Sequence, residues 1–350
     1  MRAQPMLRFS GSNRTARIRH PRPGAGFALA DAQLVIAREH GFESWPKFSK
    51  HVEALARASS QVSTFELVAD AIVTGDMPAI ESMLRAHPEL ARARSTRVHR
   101  ATLLHYVGAN GLENYRQKTP KNIVAIAKVL LDAGSDVNAL AEIYGTSTAL
   151  SLVASSVHPQ RAGVQIALLE ALLRYGANVD GAGGANPLLA ALRNGRGEAA
   201  EFLALQGAHL DLEGAAGVDR LDLVTSLEAT APTAQIEAGF HWACEYGRSS
   251  VVEFLLKRVV LTNSMGLHWA VIGGQLDTIR LLLQRGAPLE TRNEYGATPL
   301  GQALWSATTG DTDIDYGPIV ETLFNAGARI EDDSTKARIA ELLRRDSAKS

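Results

Sequence analysis

The sequence predicts an all-α solenoid of about eight helix pairs, and three observations predict it. Eight stretches repeat one apolar template, roughly Leu-x-x-Ala-x-x-x-Gly followed by a second apolar run. Self-similarity of this kind is the signature of stacked repeats. Five glycines, Gly134, Gly176, Gly207, Gly286 and Gly327, each follow a second run by a few residues, where a helix that ends left-handed calls for glycine. The chain has 350 residues, more than one globular core usually holds. A solenoid escapes that ceiling because each repeat packs only on its neighbours.

The first helices align on Val68, Leu104, Leu150, Leu188, Leu212, Phe240, Leu267 and Leu300. Three residues after each anchor stands Ala71, Val107, Val153, Ala191, Ala215, Ala243, Ala270 or Ala303. An i, i+3 pair shares one helix face, and small residues there let the next helix pair approach closely. The second helices are expected over 80–84, 123–131, 164–173, 199–205, 221–227, 251–256, 279–283 and 319–324.

The clearest copy runs Gly266-Leu267-His268-Trp269-Ala270-Val271-Ile272-Gly273-Gly274, then Leu276 to Leu283, then Gly286-Ala287-Pro288-Leu289. The next opens Gly296-Ala297-Thr298-Pro299-Leu300. These motifs resemble ankyrin repeats. The resemblance implies short and long antiparallel helices joined by β-hairpin fingers, and a function in protein binding. It also implies that His105, His241 and His268, which share one template slot, bond backbone between repeats.

From the terminal glycine to the next anchor the gap is 16 residues after Gly134, 12 after Gly176, 14 after Gly286 and only 5 after Gly207. Five residues cannot leave and return as a hairpin. The segment 228–239 is rich in Ala, Thr and Pro, and Arg258-Val259 replaces the Gly-Ala ending in the next repeat. The fingers are therefore expected to be irregular or missing in the middle of the solenoid.

Taken in chain order, residues 1–27 are expected to be a disordered basic leader, with six arginines and no acid before Asp31. Residues 28–58 form a two-helix unit. Its first helix should bury Leu29, Ala32, Ile36 and Leu34, and Gly41 should end it. Ser44 suits the cap of the second helix, with Pro46 in its first turn. Phe42, Trp45 and Phe48 should pin the pair together. The run Leu29-Ala30-Asp31-Ala32-Gln33-Leu34-Val35-Ile36-Ala37-Arg38-Glu39-His40-Gly41-Phe42-Glu43-Ser44-Trp45-Pro46-Lys47-Phe48 resembles a leader found in many bacterial ankyrin-repeat proteins. The solenoid is expected over 64–332 and a charged capping helix over 334–345, since the open ends of a solenoid need polar faces.

Formal net charge is −1, so no bulk field draws the chain to nucleic acid or membrane. One cysteine rules out an internal disulfide framework and a Cys-based zinc site. No apolar run approaches the roughly 18 residues of a membrane span. The expectation is a cytoplasmic monomer with no cofactor.

Candidate contact residues come from two places. Arg92, Arg94, Arg97 and Arg100, with His99, form a basic stretch before the Leu104 repeat, suited to an acidic protein patch. Three helix–helix turns are enlarged, at 111–122, 155–163 and 308–318, and insertions at one point of a repeat emerge along one edge. The first contributes Tyr115, Arg116, Lys118 and Lys121. Finger tips add Ile143, Tyr144, Glu294 and Tyr295. Trp242, Trp269 and Trp305 lie on first helices and suit either docking or packing between repeats.

Signals for catalysis are weak. Cys244 and His241 are three apart, but Cys244 sits next to a core anchor, which favours a structural thiol. Asp311, Asp313 and Asp315 alternate, yet Tyr316 and Thr322 stand where a calcium loop needs Gly and Glu. The reading is a protein-interaction scaffold rather than an enzyme. The alternative is an enzyme or ligand sensor with a site in the irregular repeats around residues 214–244.

Overall fold

The computed structural model describes residues 29–57, 60–261, 264–309, 314–330, 336, 338–340 and 344. The expected leader over 1–27 lies outside them, as do Asp311, Asp313 and most of the expected C-terminal cap. Contacts divide the chain into two compact units between His209 and Leu210.

The first unit holds α1 (Leu29–Glu39), α2 (Trp45–Leu55), α3 (Gln61–Thr74), α4 (Met77–Ala86), α5 (Ile123–Asp132), α6 (Ala149–Ser155), α7 (Val157–Arg161), α8 (Gln165–Arg174), α9 (Pro187–Arg193) and α10 (Gly197–Leu205). First helices pack on first helices and second on second, α6 against α9 and α5 against α8. The second unit repeats this with α11 (Leu212–Gly217), α12 (Leu221–Leu227), α13 (Thr233–Glu245), α14 (Ser249–Leu255), α15 (Gly266–Ile272), α16 (Leu276–Gln284), α17 (Pro299–Thr309) and α18 (Gly317–Asn325). There α11, α13, α15 and α17 form one layer and α12, α14, α16 and α18 the other. Among the described residues there is no strand, only the isolated bridges Arg94–Thr102 and Ala141–Ser147 at two fingers. The result is an all-α repeat fold built from stacked helix pairs.

The template explains this packing. All sixteen anchor and small-residue positions are at most 7% exposed. The five terminal glycines all have φ between 81° and 98°, and an added Cβ would meet nothing within 4 Å. Backbone conformation alone, rather than crowding, selects glycine there.

Several local expectations need correction. The Leu104 repeat opens with a 3₁₀ segment, Leu103–Gly108, instead of an α-helix. Ala109 at φ 46° ends the segment after six residues, and the insertion follows. In α1 only Ala37 is buried, while Leu29 and Ile36 are exposed. That helix packs chiefly on α2, and Ala32 and Leu34 are half-buried. Ser44 occupies the cap of α2 with extended backbone, but its side chain makes no capping bond. The aromatic clasp does form, with ring centroids 5.5 Å apart for Phe42–Phe48 and 5.6 Å for Trp45–Phe48.

Between Gly207 and Leu212 the chain runs without a hairpin straight into α11. The segment 228–239 is partly helical, because α13 starts at Thr233, seven residues before its anchor.

Candidate interaction surface

The most unusual chemistry in the first unit is a buried ion network. It begins with Glu66, set among the apolar residues of α3. The finger that follows α4 supplies Arg97 and His99. The enlarged turn after the 3₁₀ segment supplies Glu113 and Arg116. Arg97 pairs with Glu66 and lies 2.9 Å, Nε to oxygen, from Glu113. Arg116 donates to Glu66 at 2.5 Å, to Asp70 at 2.7 Å and to the Glu66 carbonyl at 3.2 Å. His99 Nε2 lies 3.0 Å from Glu113. Apart from Asp70, these side chains are almost wholly buried.

Burial works against each charge, and the partners outweigh it. For Glu113, desolvation is overcome by the His99 hydrogen bond and the Arg97 charge, which pull its pKa down to about 2. For Arg116, desolvation is overcome by Asp70 and Glu66, and its pKa rises. Tyr106, wholly buried beneath the network, has its phenol pushed up chiefly by desolvation.

The network explains where the insertion goes. Glu113 and Arg116 carry the turn back across α3 and the finger. Gly111 (φ 70°) lies so close to the next finger that a Cβ would sit 2.2 Å from Ile143 Cγ2. Tyr144 donates from its hydroxyl to Asn110 at 3.0 Å. The second enlarged turn joins the first through Asn110, whose amide donates to Ser155 Oγ at 3.0 Å.

The arginines of the finger therefore divide. Arg97 is internal, its charge neutralised by two carboxylates, and so is Arg116 of the insertion; neither is presented at the surface. Arg92, Arg94 and Arg100 are exposed. Arg92 Nε donates to the Gly134 carbonyl at 3.1 Å. Arg94 donates to the carbonyls of Arg100 and Leu140, at 2.9 and 2.6 Å, bridging two successive fingers. Arg100 stands in the left-handed region, φ 51°, which is strained for a residue with a Cβ. Arg94 and Arg100 line a cavity of about 180 Å³ with Phe65 and Thr96. Arg92 and Arg94 line a wider one of about 500 Å³ with Thr102 and Ser135.

Of the aromatic candidates, Tyr115 is 56% exposed, Tyr144 45% and, in the second unit, Tyr295 40%. Ile143, expected at a finger tip, is fully buried. Lys118 and Lys121 are exposed.

Two of the three template histidines do bond backbone across repeats. His105 Nδ1 accepts the Thr102 N–H at 3.1 Å, so Nε2 carries the proton and donates to the Ala139 carbonyl at 3.1 Å. His268 Nε2 lies 3.0 Å from the Ala297 carbonyl. His241 instead lies beside the Trp269 ring, centroids 6.0 Å apart, with its pKa lowered to about 4 by burial. Cys244 is fully buried, and a Cβ on Gly266 would lie 3.2 Å from its Sγ. Burial pushes its thiol pKa well up, which is the reverse of an activated nucleophile.

The residues that arginine spacing alone did not reveal are Glu66, Asp70 and Glu113. A signal existed. Glu66 interrupts an apolar run, Phe65-Glu66-Leu67-Val68, and Glu113 with Arg116 places opposite charges three apart in an insertion. A charge inside an apolar run implies a buried partner.

Residues 240–334 match the family model of ankyrin repeats in three copies. No curated protein matches the chain. Among solved structures the chain is similar to the crystal structure of the human ASB11 ankyrin repeat domain, at 20% identity over 75% of this chain and 98% of that one, with a TM-score of 0.39. No described helix is long and apolar enough to cross a membrane.

Proposed function

We propose that the chain is a protein-binding module whose first unit reads an acidic segment of a partner with Arg92, Arg94 and Arg100. One observation carries this reading. Among the described residues none of the three forms an ion pair, and two are oriented by neutral carbonyls. Carbonyl acceptors hold a guanidinium in place without cancelling its charge. The remaining N–H groups are then available for carboxylates, the bidentate geometry arginine favours. Tyr115 and Tyr144 flank the finger as exposed rings, a residue type enriched at interfaces, and Tyr295 serves the second unit in the same way. The match of ankyrin repeats to residues 240–334 supports a binding role, since repeats of that kind generally mediate protein–protein contact.

In this reading the protein works as a cytoplasmic monomer and an adaptor, without catalysis, cofactor, nucleic acid or membrane. The burial of Cys244 counts against an enzyme site around 214–244.

The test is fluorescence anisotropy with a labelled Glu/Asp-rich peptide. Arg92→Glu with Arg100→Glu is expected to weaken binding at least about tenfold, at unchanged helical content, because two attractive charges become repulsive. Equal binding by the double variant sinks the reading. Light scattering reads the oligomeric state.

A further inference from the structure

Each first helix carries, two residues after its anchor, a residue in one common slot. In chain order the slot holds Asp70, Tyr106, Leu152, Ala190, Gly214, Trp242, Trp269 and Gln302. The first unit shows what such a slot receives. The turn after the 3₁₀ segment is long enough to fold back, and it brings Arg116 onto two neighbouring slots. The guanidinium hydrogen-bonds Asp70 at 2.7 Å and lies 5.7 Å from the centre of the Tyr106 ring. Here the chain itself sets an arginine over an aromatic ring and matches it with carboxylates.

In the second unit no long insertion of the same repeat folds onto the Trp242 and Trp269 slots. The turns beside these two slots are short, with residues 246–248 joining α13 to α14 and 273–275 joining α15 to α16, whereas the turn before α18 is longer and its Tyr316 donates to the Ile272 carbonyl at 3.2 Å. From the first of these turns Tyr246 lies beside the Trp242 ring and Arg248 Nε donates to the Gly217 carbonyl of α11 at 3.1 Å. Trp242 and Trp269 occupy the slots and remain partly exposed. Their ring centroids are 6.1 Å apart, and His241 and Tyr246 extend the strip at 6.0 Å from Trp269 and 6.4 Å from Trp242. Glu213 on α11 accepts the Trp242 Nε1–H at 3.4 Å, which places a carboxylate at the edge of the strip. The stretch of sequence that carries the strip is acidic overall. Residues 210–330 contain fifteen acidic residues against eight basic ones, whereas residues 29–209 balance at seventeen each.

We infer that Trp242 and Trp269, with Glu213, form a docking strip for an arginine-bearing segment of a partner protein. The guanidinium stacks on an indole and pairs with the carboxylate, as Arg116 does within the first unit. Tryptophan has the strongest cation-binding ring face, and guanidinium, planar and weakly hydrated, stacks better than ammonium. This strip belongs to the second unit and the arginine finger to the first, and the two take ligands of opposite charge.

The experiment is calorimetry on the full chain at physiological salt with three acetylated heptapeptides of alternating glycine. They carry three arginines, three lysines or three citrullines. The arginine peptide is expected to bind about tenfold tighter than the citrulline peptide and a few-fold tighter than the lysine peptide. Trp242→Leu or Trp269→Leu should weaken the arginine peptide about five- to tenfold, and Trp269→Tyr should retain most of the affinity. Arginine and lysine peptides binding alike, with no response to Trp→Leu, would mean attraction to net charge alone and overturn the inference. So would the absence of arginine-peptide binding by the wild type. If the leucine variants melt early, the three peptides on wild type and on Trp269→Tyr still decide. Arg92→Glu with Arg100→Glu should leave this binding intact, so this inference and the acidic-partner reading stand or fall separately.

Discussion

The Leu104 and Leu267 repeats share a template down to the histidine that bonds backbone across repeats, yet they treat their slot residue in opposite ways. Tyr106 is wholly buried under a turn pinned by Glu113 and Arg116. Trp269 stays partly exposed because only residues 273–275 separate its helix from the next. Loop length decides whether the face becomes core or surface. Once the turn is long enough to fold back, its charges must be matched in the interior, and Glu66, Asp70, Arg97 and His99 match them. A polar network buried in this way is costly to leave half-made, which is why the insertion is held in one place.

The strongest way to break this comparison is to remove a partner from the network. Glu66→Ala leaves Arg97 and Arg116 short of a buried carboxylate and should cost about 3–5 kcal/mol in urea unfolding. Glu213→Ala, at the partly exposed strip of the second unit, should cost less than about 1 kcal/mol. Equal losses would show that the two faces do not differ as described.

Acid sharpens the same contrast. Glu113 has its pKa lowered to about 2 from an ordinary 4.5. A depressed carboxylate adds stability that is present above pH 4.5 and lost as pH falls through that value toward 2, of order 3 kcal/mol. His105 and His241 are each lowered to about 4 from 6.5, chiefly by burial. They are neutral in the fold but protonate in the unfolded chain, so stability falls as pH drops from 6.5 to 4 in both units. Unfolding measured against pH should therefore show an upper acid step common to both units and a lower one carried by buried Glu113 in the first, since Asp222 of the second unit, though also lowered to about 2, is exposed and screened by solvent. Glu113→Gln should abolish the lower step and keep the upper one.

Smaller changes probe how the insertion meets its neighbours. Tyr144→Phe removes the hydrogen bond to Asn110 and should cost about 1 kcal/mol in chemical denaturation. Arg100→Gly relaxes a left-handed residue and should change stability by no more than about 1 kcal/mol, in the favourable direction if strain outweighs the added chain entropy. The same variant removes one finger charge, so it should weaken acidic-peptide binding while the fold holds.

Much of the fold was legible because its information is local and periodic. The i, i+3 anchor pairs and terminal glycines located all eight repeats, and the five-residue gap after Gly207 located the missing finger. The Leu104 repeat was less legible, since whether its first helix is α or 3₁₀ depends on the insertion leaving at Ala109. The candidate surface was legible only in part. Four arginines in one stretch look equivalent in the sequence, but Arg97 meets Glu66 and Glu113, which lie 31 residues before and 16 after it. Spacing within a segment says nothing about contacts at that range. The same blindness applies to Leu29 and Ile36, whose apolar character does not say whether a neighbour covers them.

By itself the amino-acid sequence determined the repeat, its helix pairs, the buried anchors and the positions where glycine is required, because these follow from helix geometry over a few residues. Only the tertiary structure decided which charges face inward and which outward. Burial of a charge depends on groups brought together from distant segments, and no periodicity in the chain encodes that meeting.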